Sequence, residues 1–274
     1  MPPNDVPFLF DHCRMIKTGD WTIPDLIKYL VSVQSTLQPI EIDRLRLTPA
    51  FPEEATVEEN KNGDGILKKV PKFKASDLYE PLDVFRSLGL PIIDWQGKDG
   101  KHKWRSGTEE GTPDRAELSC ALMLPSPAKF LFSLGLRRFP STEVILGIAA
   151  KDEPRRTIAL NYFLDNYMQK YTDYTVDANA NVAFVPAIHR GEKKLVKPLE
   201  VFANPEWRSL GFPVLDPALR QDAVTKLKIK EHPPTNQLVR LLETSPPTTE
   251  AQACQWFGVL SRRISGLCNA QSNE

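Results

Sequence analysis

A motif that occurs twice constrains the fold of this chain more than any other feature of the sequence. Residues 81–85 (PLDVF) and 87–91 (SLGLP) reappear as residues 198–202 (PLEVF) and 209–213 (SLGFP). Eight of the ten positions are identical and a ninth exchanges Asp for Glu, while the second copy has five extra residues between its halves. A recurring segment of this kind marks a structural unit that is used more than once. We therefore predict that the large apolar residues of both copies are buried, namely Phe85, Leu88, Leu90, Phe202, Leu210 and Phe212.

A second correspondence links segments that lie 93 residues apart (227 minus 134). Four residues recur at this offset: Leu134 with Leu227, Pro140 with Pro233, Thr142 with Thr235 and Pro154 with Pro247. Together the two correspondences predict one unit at about 14–95, another at about 134–216 and a third that begins near 227. The third unit stops before its strand, so we expect the chain to be a piece of a longer protein.

The unit predicted from these repeats is a short helix, a long amphipathic helix, a strand and then the turn-rich apolar motif. We therefore expect an α/β (α+β) fold of tandem helix–helix–strand units with small sheets. Residues 1–116 are predicted to hold the first repeat unit with long polar loops. Residues 117–274 are predicted to hold the second unit and the truncated third one.

Apolar periodicity and capping residues predict the individual elements. Helices are expected at 22–37, 157–171, 217–227, 235–242 and 249–267, and one more is expected after Ser141, which is predicted to be its N-cap. Alternation and flanking prolines predict strands at 40–49 and 181–185. Charged or glycine-rich composition predicts loops at 51–76 and 96–116.

Charge and cysteine content narrow the function and the compartment. Lys+Arg and Asp+Glu both number 35, so the formal net charge is zero, and we expect neither nucleic acid nor an acidic membrane as a partner. The cysteines Cys13, Cys120, Cys254 and Cys268 are far apart, which indicates reduced thiols. The N-terminus lacks a signal-peptide pattern and no apolar run is long enough for a membrane span. A cytoplasmic location is expected, with the nucleus as the alternative.

The sequence contains no pattern that is typical of a catalytic or cofactor site. The histidines His12, His102, His189 and His232 are not at metal-ligand spacing from one another or from a cysteine. Phosphate-loop, dinucleotide, zinc-protease and serine-hydrolase motifs are absent. We therefore expect no metal, no cofactor and no enzymatic activity. The alternative is a hydrolase or a nucleotide-dependent enzyme with an unrecognised site, which would show a deep pocket with converging polar residues.

A basic and aromatic patch in the polar loop, made of Lys101, Lys103, Trp104 and Arg105, is the candidate contact site for a protein partner. An exposed tryptophan often marks a contact surface, and a solvated loop is the simpler alternative. A second basic cluster, at 68–74, could contact RNA or an acidic partner. It follows four glutamates that offset its charge, which favours a solvated loop.

Asp83 and Glu200 occupy the same position in the two copies of the motif. Two carboxylates can act as a general acid and base only where they converge on one site. Repeat symmetry instead places them in separate units. We expect each of them to stabilise a first helical turn, because an acidic residue shortly after proline suits that position.

The motif and its surroundings resemble the repeats of sacsin and of large fungal sacsin-like proteins of unknown function. The resemblance is carried by Phe184-Val185-Pro186 and by residues 198–202, 210–215 and 227–233, and it extends over about 14–266. In that family the repeats follow a GHKL-type ATP-binding domain and are regarded as chaperone-like.

This resemblance implies a non-catalytic scaffold or client-binding segment of a chaperone-associated protein. Its implied partners are a protein client and the rest of a longer chain that bears the GHKL-type ATPase domain. ATPase activity is not carried over to these residues. The one piece that is similar to a D-x-G turn, at 62–65, lies in a polar loop, and no helix with a metal-chelating asparagine precedes it.

Overall fold

The computed structural model describes residues 23–54, 72–95 and 127–271, and the side chains of all of these except 23–26, 36 and 263–271. The chain forms two compact units, Met1–Pro140 and Ser141–Glu274. Helices and small antiparallel sheets make up both units, which confirms the predicted α/β (α+β) class. The boundary predicted between residues 116 and 117 lies outside the described residues.

The first unit packs short helices around a two-stranded antiparallel sheet, and Phe51 pairs with Phe73 in that sheet. Its single-turn 3-10 helices are Gln34–Thr36 and Ala75–Asp77. Its other elements are α1 (Ile23–Ser32), α2 (Pro39–Leu47), β1 (Phe51–Pro52), β2 (Lys72–Phe73), α3 (Asp83–Ser87) and α4 (Pro127–Ser133).

The second unit contains a three-stranded antiparallel sheet with the order β4-β3-β5. Its 3-10 helices are Asp177–Asn179, Pro198–Glu200 and Pro205–Leu210. Its other elements are α5 (Thr142–Lys151), α6 (Glu153–Asp165), α7 (Tyr167–Lys170), β3 (Val185–His189), β4 (Glu192–Val196), β5 (Val214–Leu215), α8 (Asp222–Lys226), α9 (Thr235–Thr244) and α10 (Glu250–Gln271).

Segment 40–49 forms helix α2, so the predicted strand is wrong. Pro39 stands in the first turn, where its missing N–H is no loss. The Gln38 N–H donates to the Glu41 carboxylate at 2.7 Å and so closes the helix start. The alternation that suggested a strand reflects one buried leucine, Leu45, and one leucine that is 68% exposed, Leu47.

The helix predicted at 157–171 begins earlier and is interrupted. Asp152 accepts a hydrogen bond from the Arg155 N–H at 3.1 Å and caps α6. The helix stops at Asn166, whose side-chain amide donates to the Tyr162 carbonyl at 2.9 Å. Helix α7 follows this break, and its Met168 is 75% exposed. The cap predicted at Ser141 is confirmed, because its hydroxyl accepts from the Val144 N–H at 3.4 Å.

The strand predicted at 181–185 begins only at Val185 and continues to His189. Pro186 lies inside it instead of ending it, opposite Leu195 of β4, and its carbonyl accepts the Asp216 N–H at 3.0 Å. The loop predicted at 51–76 contains the paired strands β1 and β2 at its ends. The loop predicted at 96–116 lies outside the described residues.

The repeat is present in the backbone of both units, with Tyr79 and Phe202 as equivalent residues. Each forms parallel bridges to two segments: Tyr79 to Ile92 and Arg137, and Phe202 to Val214 and Lys230. The Tyr79 N–H donates to the Pro91 carbonyl at 2.8 Å, and the Phe202 N–H donates to the Pro213 carbonyl at 3.1 Å. Both side chains are buried. The recurring sequence therefore builds the same three-segment core in each unit.

This equivalence corrects the register of the first half of the motif. The Phe85 carbonyl accepts the Leu90 N–H at 3.1 Å, and the Trp207 carbonyl accepts the Phe212 N–H at 3.2 Å. Phe85 therefore corresponds to Trp207 and not to Phe202. The second half is aligned as predicted, because Gly89 and Gly211 both have positive φ, 68° and 82°.

Asp83 and Glu200 are not equivalent, contrary to the sequence alignment. Asp83 begins α3, whereas Glu200 ends the 3-10 helix Pro198–Glu200. The burial predicted for the motif is confirmed for five residues, and the sixth, Phe212, is only half-buried.

The offset of 93 residues is confirmed from 131 to the end of α5. Gly135 (φ 105°) and Lys228 (φ 53°) hold the same left-handed turn, and the helices that follow begin at Thr142 and Thr235. Beyond these helices the match ends, because Pro154 lies within α6 whereas Pro247 precedes α10.

Candidate functional site

The contact residues predicted from the sequence, Lys101, Lys103, Trp104 and Arg105, lie outside the described residues. The structure instead presents a cavity of about 590 Å³ in the second unit, between α6, the β3–β4 hairpin and the turn after β5. We call it the α6–hairpin groove. Fourteen residues line it: Glu153, Arg156, Thr157, Leu160, Asn161, Pro186, Ala187, Lys193, Lys194, Leu195, Asp216, Ala218, Leu219 and Arg220.

Helix α6 supplies one wall of the groove from a single face. The lining positions 153, 156, 157, 160 and 161 follow the spacing of residues that lie above one another on a helix. Leu160 is buried at the base of this face. The Arg156 guanidinium is held in place, because its Nε donates to the Ala149 carbonyl at 2.8 Å.

The β3–β4 hairpin supplies the opposite wall and carries a concentration of positive charge. Residues 189–197 contain Arg190, Lys193, Lys194 and Lys197 against one acidic residue, Glu192. Two residues, 190 and 191, connect the strands, and both have positive φ (53° and 89°), as in a type I′ turn. Such a turn favours Gly, Asn or Asp, so an arginine at 190 is held in a strained conformation.

Asp216 is the fixed anion of the groove. Its side chain is 9% exposed, and the Lys193 ammonium lies 3.0 Å from its carboxylate. The Ala218 N–H donates to the same carboxylate at 2.9 Å. That hydrogen bond, followed by the one from Lys193, lowers the pKa of Asp216 and outweighs the opposing effect of burial. The carboxylate is therefore ionised at neutral pH and serves as an anchor for Lys193.

Arg220, at the rim, is held by other acidic groups. It donates to the carboxylate of Asp165 and to both carboxylate oxygens of Asp222, at 3.1 and 2.8 Å. Lys226 adds a contact of 2.8 Å to Asp222. Among the described residues, Lys194 and Arg190 have no ion pair and are exposed. They are the hairpin charges that remain available to a ligand.

A second cavity, of about 670 Å³, lies between the 3-10 helix Pro205–Leu210 and α10. An ion pair crosses it, because Arg262 lies 3.1 Å from Glu206. The exposed thiol of Cys254 lines the same cavity. No histidine accompanies this thiol among the lining residues, and the one carboxylate there, that of Glu206, is paired with Arg262.

Within the described ranges, no group of three or more His, Cys, Asp or Glu side chains is placed to hold a metal ion. His232 has a structural contact, because its Nδ1 accepts a hydrogen bond from the Trp207 indole at 3.2 Å. In the part of the chain with described structure, no helix is long and apolar enough to cross a membrane.

A protein-family model described as "Protein of unknown function (DUF3684)" matches residues 5–274, which is nearly the whole chain. The chain belongs to the DUF3684 family. No curated protein and no solved structure matches it. The family is described without a function, so the groove geometry is the basis for a functional proposal.

Sequence reasoning missed the groove residues that matter most, Lys194, Asp216 and Arg156. One signal was present, since the segment HRGEKKLVK at 189–197 places an R-G turn between two runs of strand-forming residues. The pairing of Asp216 with Lys193 could not be read from the sequence, because Lys193 lies on β4 and Asp216 follows β5, and these two strands are not neighbours in the sheet.

Proposed function

We propose that this chain is a non-catalytic segment that binds a protein partner through the α6–hairpin groove. The observation that carries the proposal is the distribution of charge in the groove. Lys193, Asp216 and Arg220 neutralise one another or nearby residues, while Lys194 and Arg190 face outward unpaired among the described residues. A groove that keeps a few unpaired charges beside paired ones suits recognition of a partner.

The same groove offers little for catalysis. A general base near neutral pH needs a pKa close to the working pH, whereas the pKa of Asp216 is lowered. The fourteen lining residues contain no histidine, cysteine, serine or tyrosine, so they supply no activated nucleophile. These features favour a binding role over the alternative of a hydrolase or nucleotide-dependent enzyme.

The resemblance to sacsin-like repeats supports assigning this binding role to a chaperone-associated protein, and we propose the cytoplasm as its location. In this proposal the partner is a client protein or the remainder of a longer chain with a GHKL-type ATPase domain. The equivalent cores around Tyr79 and Phe202 support a repeat scaffold. Repeat proteins commonly bind partners along surfaces that successive units build.

Site-specific photo-crosslinking in the source cells tests the proposal. A photoreactive residue at Thr157, inside the groove, is compared with one at Met168, which is 75% exposed and outside the lining residues. We expect Thr157 to give a discrete product with one protein that Met168 does not give. Binding of that purified protein should weaken at least tenfold in the Lys194→Glu variant. Identical products from both positions, or unchanged affinity of the variant, would contradict the proposal.

A further inference from the structure

We infer that β4 is the docking edge of the groove and accepts an acidic, extended peptide segment as an added strand of the sheet. This inference rests on the proposed function and specifies its partner. Three features of the molecule support it: the hydrogen-bonding groups of the β4 backbone, the position of the cavity and the charge of the hairpin.

The backbone of β4 has one side without a strand partner among the described residues. The two-residue turn makes His189 and Glu192 a hydrogen-bonded pair, and the pairs then alternate along the ladder. Lys193 and Leu195 fall in the non-bonded positions, so their N–H and C=O groups point away from β3. No hydrogen bond to the backbone of another described residue occupies these groups. Such an edge is a template for an incoming strand.

The cavity lies against this strand. Three consecutive residues of β4, 193–195, line it. Pro186 and Ala187 of β3 line it as well, so the cavity extends across the hairpin and reaches β4. Across the groove, Thr157 and Asn161 offer a hydroxyl and an amide that can bond the side chains of a bound segment.

The charge of the hairpin selects an acidic segment. The whole chain is neutral, yet residues 189–197 carry four cationic residues against one acidic residue. Asp216 neutralises Lys193, and Glu200 lies 3.9 Å from Lys197. Lys194 and Arg190 remain for carboxylates of the bound strand.

A protective role explains less of this surface. Lysines on an edge strand prevent sheets from associating edge to edge, and this accounts for Lys193 and Lys194. It does not account for Arg190, which holds a left-handed conformation that Gly or Asn would adopt without strain. Strained residues of this kind cluster at functional sites, so the strained cation at the hairpin tip favours a ligand.

A nucleic acid could bind the same positive charges, but it does not match the lining of the groove or the backbone groups of β4. None of the fourteen lining residues is aromatic, so the groove offers no platform for stacking a base. The free N–H and C=O groups of an edge strand match a peptide backbone, which presents both donors and acceptors. A phosphate backbone presents acceptors only.

Fluorescence anisotropy with the full chain tests the inference. The probe is a labelled peptide of alternating valine and glutamate, seven residues long, and its controls are the same peptide with lysine for glutamate and the glutamate peptide N-methylated at alternate amides. We expect binding of the glutamate peptide, and at least tenfold weaker binding of both controls. Lys194→Glu should weaken binding at least tenfold, whereas Arg240→Glu, an equal charge change at an exposed site on α9, should leave it unchanged.

Each contrary outcome has a distinct meaning. Equal binding of the N-methylated peptide would overturn strand addition while leaving a binding groove in place. Equal loss in the two charge variants, or no binding of the glutamate peptide, would overturn the β4 edge as its site. Tighter binding of a single-stranded 12-nucleotide DNA than of the peptide would overturn the peptide in favour of nucleic acid. The cellular crosslink at Thr157 tests the proposed function separately from all of these.

Discussion

The indole Nε1 of Trp207 donates a hydrogen bond to Nδ1 of His232 at 3.2 Å, and the two rings meet edge to face with their centroids 5.8 Å apart. Trp207 is buried, whereas a quarter of the His232 side chain is exposed. The contact joins the 3-10 helix Pro205–Leu210 to the segment before α9. The corresponding residues of the first unit are Phe85 and Phe139, which form no such bond, so this polar contact belongs to the second unit alone.

We predict that His232→Ala destabilises the chain by about 1–3 kcal/mol, because it leaves the buried indole N–H without an acceptor. Urea denaturation followed by tryptophan fluorescence and circular dichroism measures the change. In the Trp207→Phe background the same substitution should cost distinctly less, since no N–H remains to be satisfied. Equal costs in the two backgrounds would show that the hydrogen bond has no stabilising role.

The ionised Asp216 carboxylate should make stability depend on pH. A carboxyl group whose pKa is lowered by folding contributes stability above its unfolded pKa, near 3.8, and loses that contribution as the pH falls through the folded pKa. We predict that Asp216→Asn lowers the free energy of unfolding by about 1–3 kcal/mol at pH 7. The difference from the wild type should shrink below pH 4. Denaturation series at pH 7, 5, 4 and 3 measure it.

Lys193→Met serves as the control for this prediction. The hydrogen bond from Ala218 is the first cause of the lowered pKa of Asp216, and the Lys193 ammonium is well exposed. The lysine variant should therefore lose less stability than Asp216→Asn. A larger loss would mean that the ion pair, and not the backbone hydrogen bond, holds the carboxylate.

Because Arg190 is strained, replacing it should raise the stability of the chain and weaken peptide binding at the same time. Arg190→Gly should raise the stability of the chain by about 1 kcal/mol, because glycine adopts φ 53° without strain. The same substitution should also weaken binding of the glutamate peptide, because it removes one unpaired cation from the hairpin. Thermal denaturation and anisotropy measure the two effects on the same sample. Arg190→Val, with a β-branched side chain at the same φ, should instead destabilise the chain.

Neighbouring aromatic residues of α10 should differ sharply in their contribution to the core. Trp256 is 4% exposed and its indole donates to the Ser209 carbonyl at 3.1 Å, whereas Phe257 is 55% exposed. We predict that Trp256→Ala lowers the free energy of unfolding by about 3–5 kcal/mol. Phe257→Ala should change it by no more than about 0.5 kcal/mol. Similar losses would show that both residues are packed in the core. Urea denaturation of the two variants decides between these outcomes.

Sequence patterns predicted helix boundaries correctly where interactions between neighbouring residues determine them. Ser141 caps α5 as predicted, and the offset of 93 residues located the start of α9. Helix α2 also carried its own signal in Pro39 and the Gln38–Glu41 pair, which the alternation of two leucines obscured. Periodicity failed at Asn166, where a side-chain bond to the Tyr162 carbonyl ends the helix.

The sequence by itself determined the mixed α/β class, the existence of a repeat and most of the buried residues of its motif. Only the tertiary structure decided the register of that repeat, because Tyr79 and Phe202 are made equivalent by backbone bridges to segments far away in the chain. The α6–hairpin groove depends on the same kind of contact. Its central pair, Lys193 and Asp216, is assembled when β5 pairs with β3, and no spacing in the sequence encodes that distance.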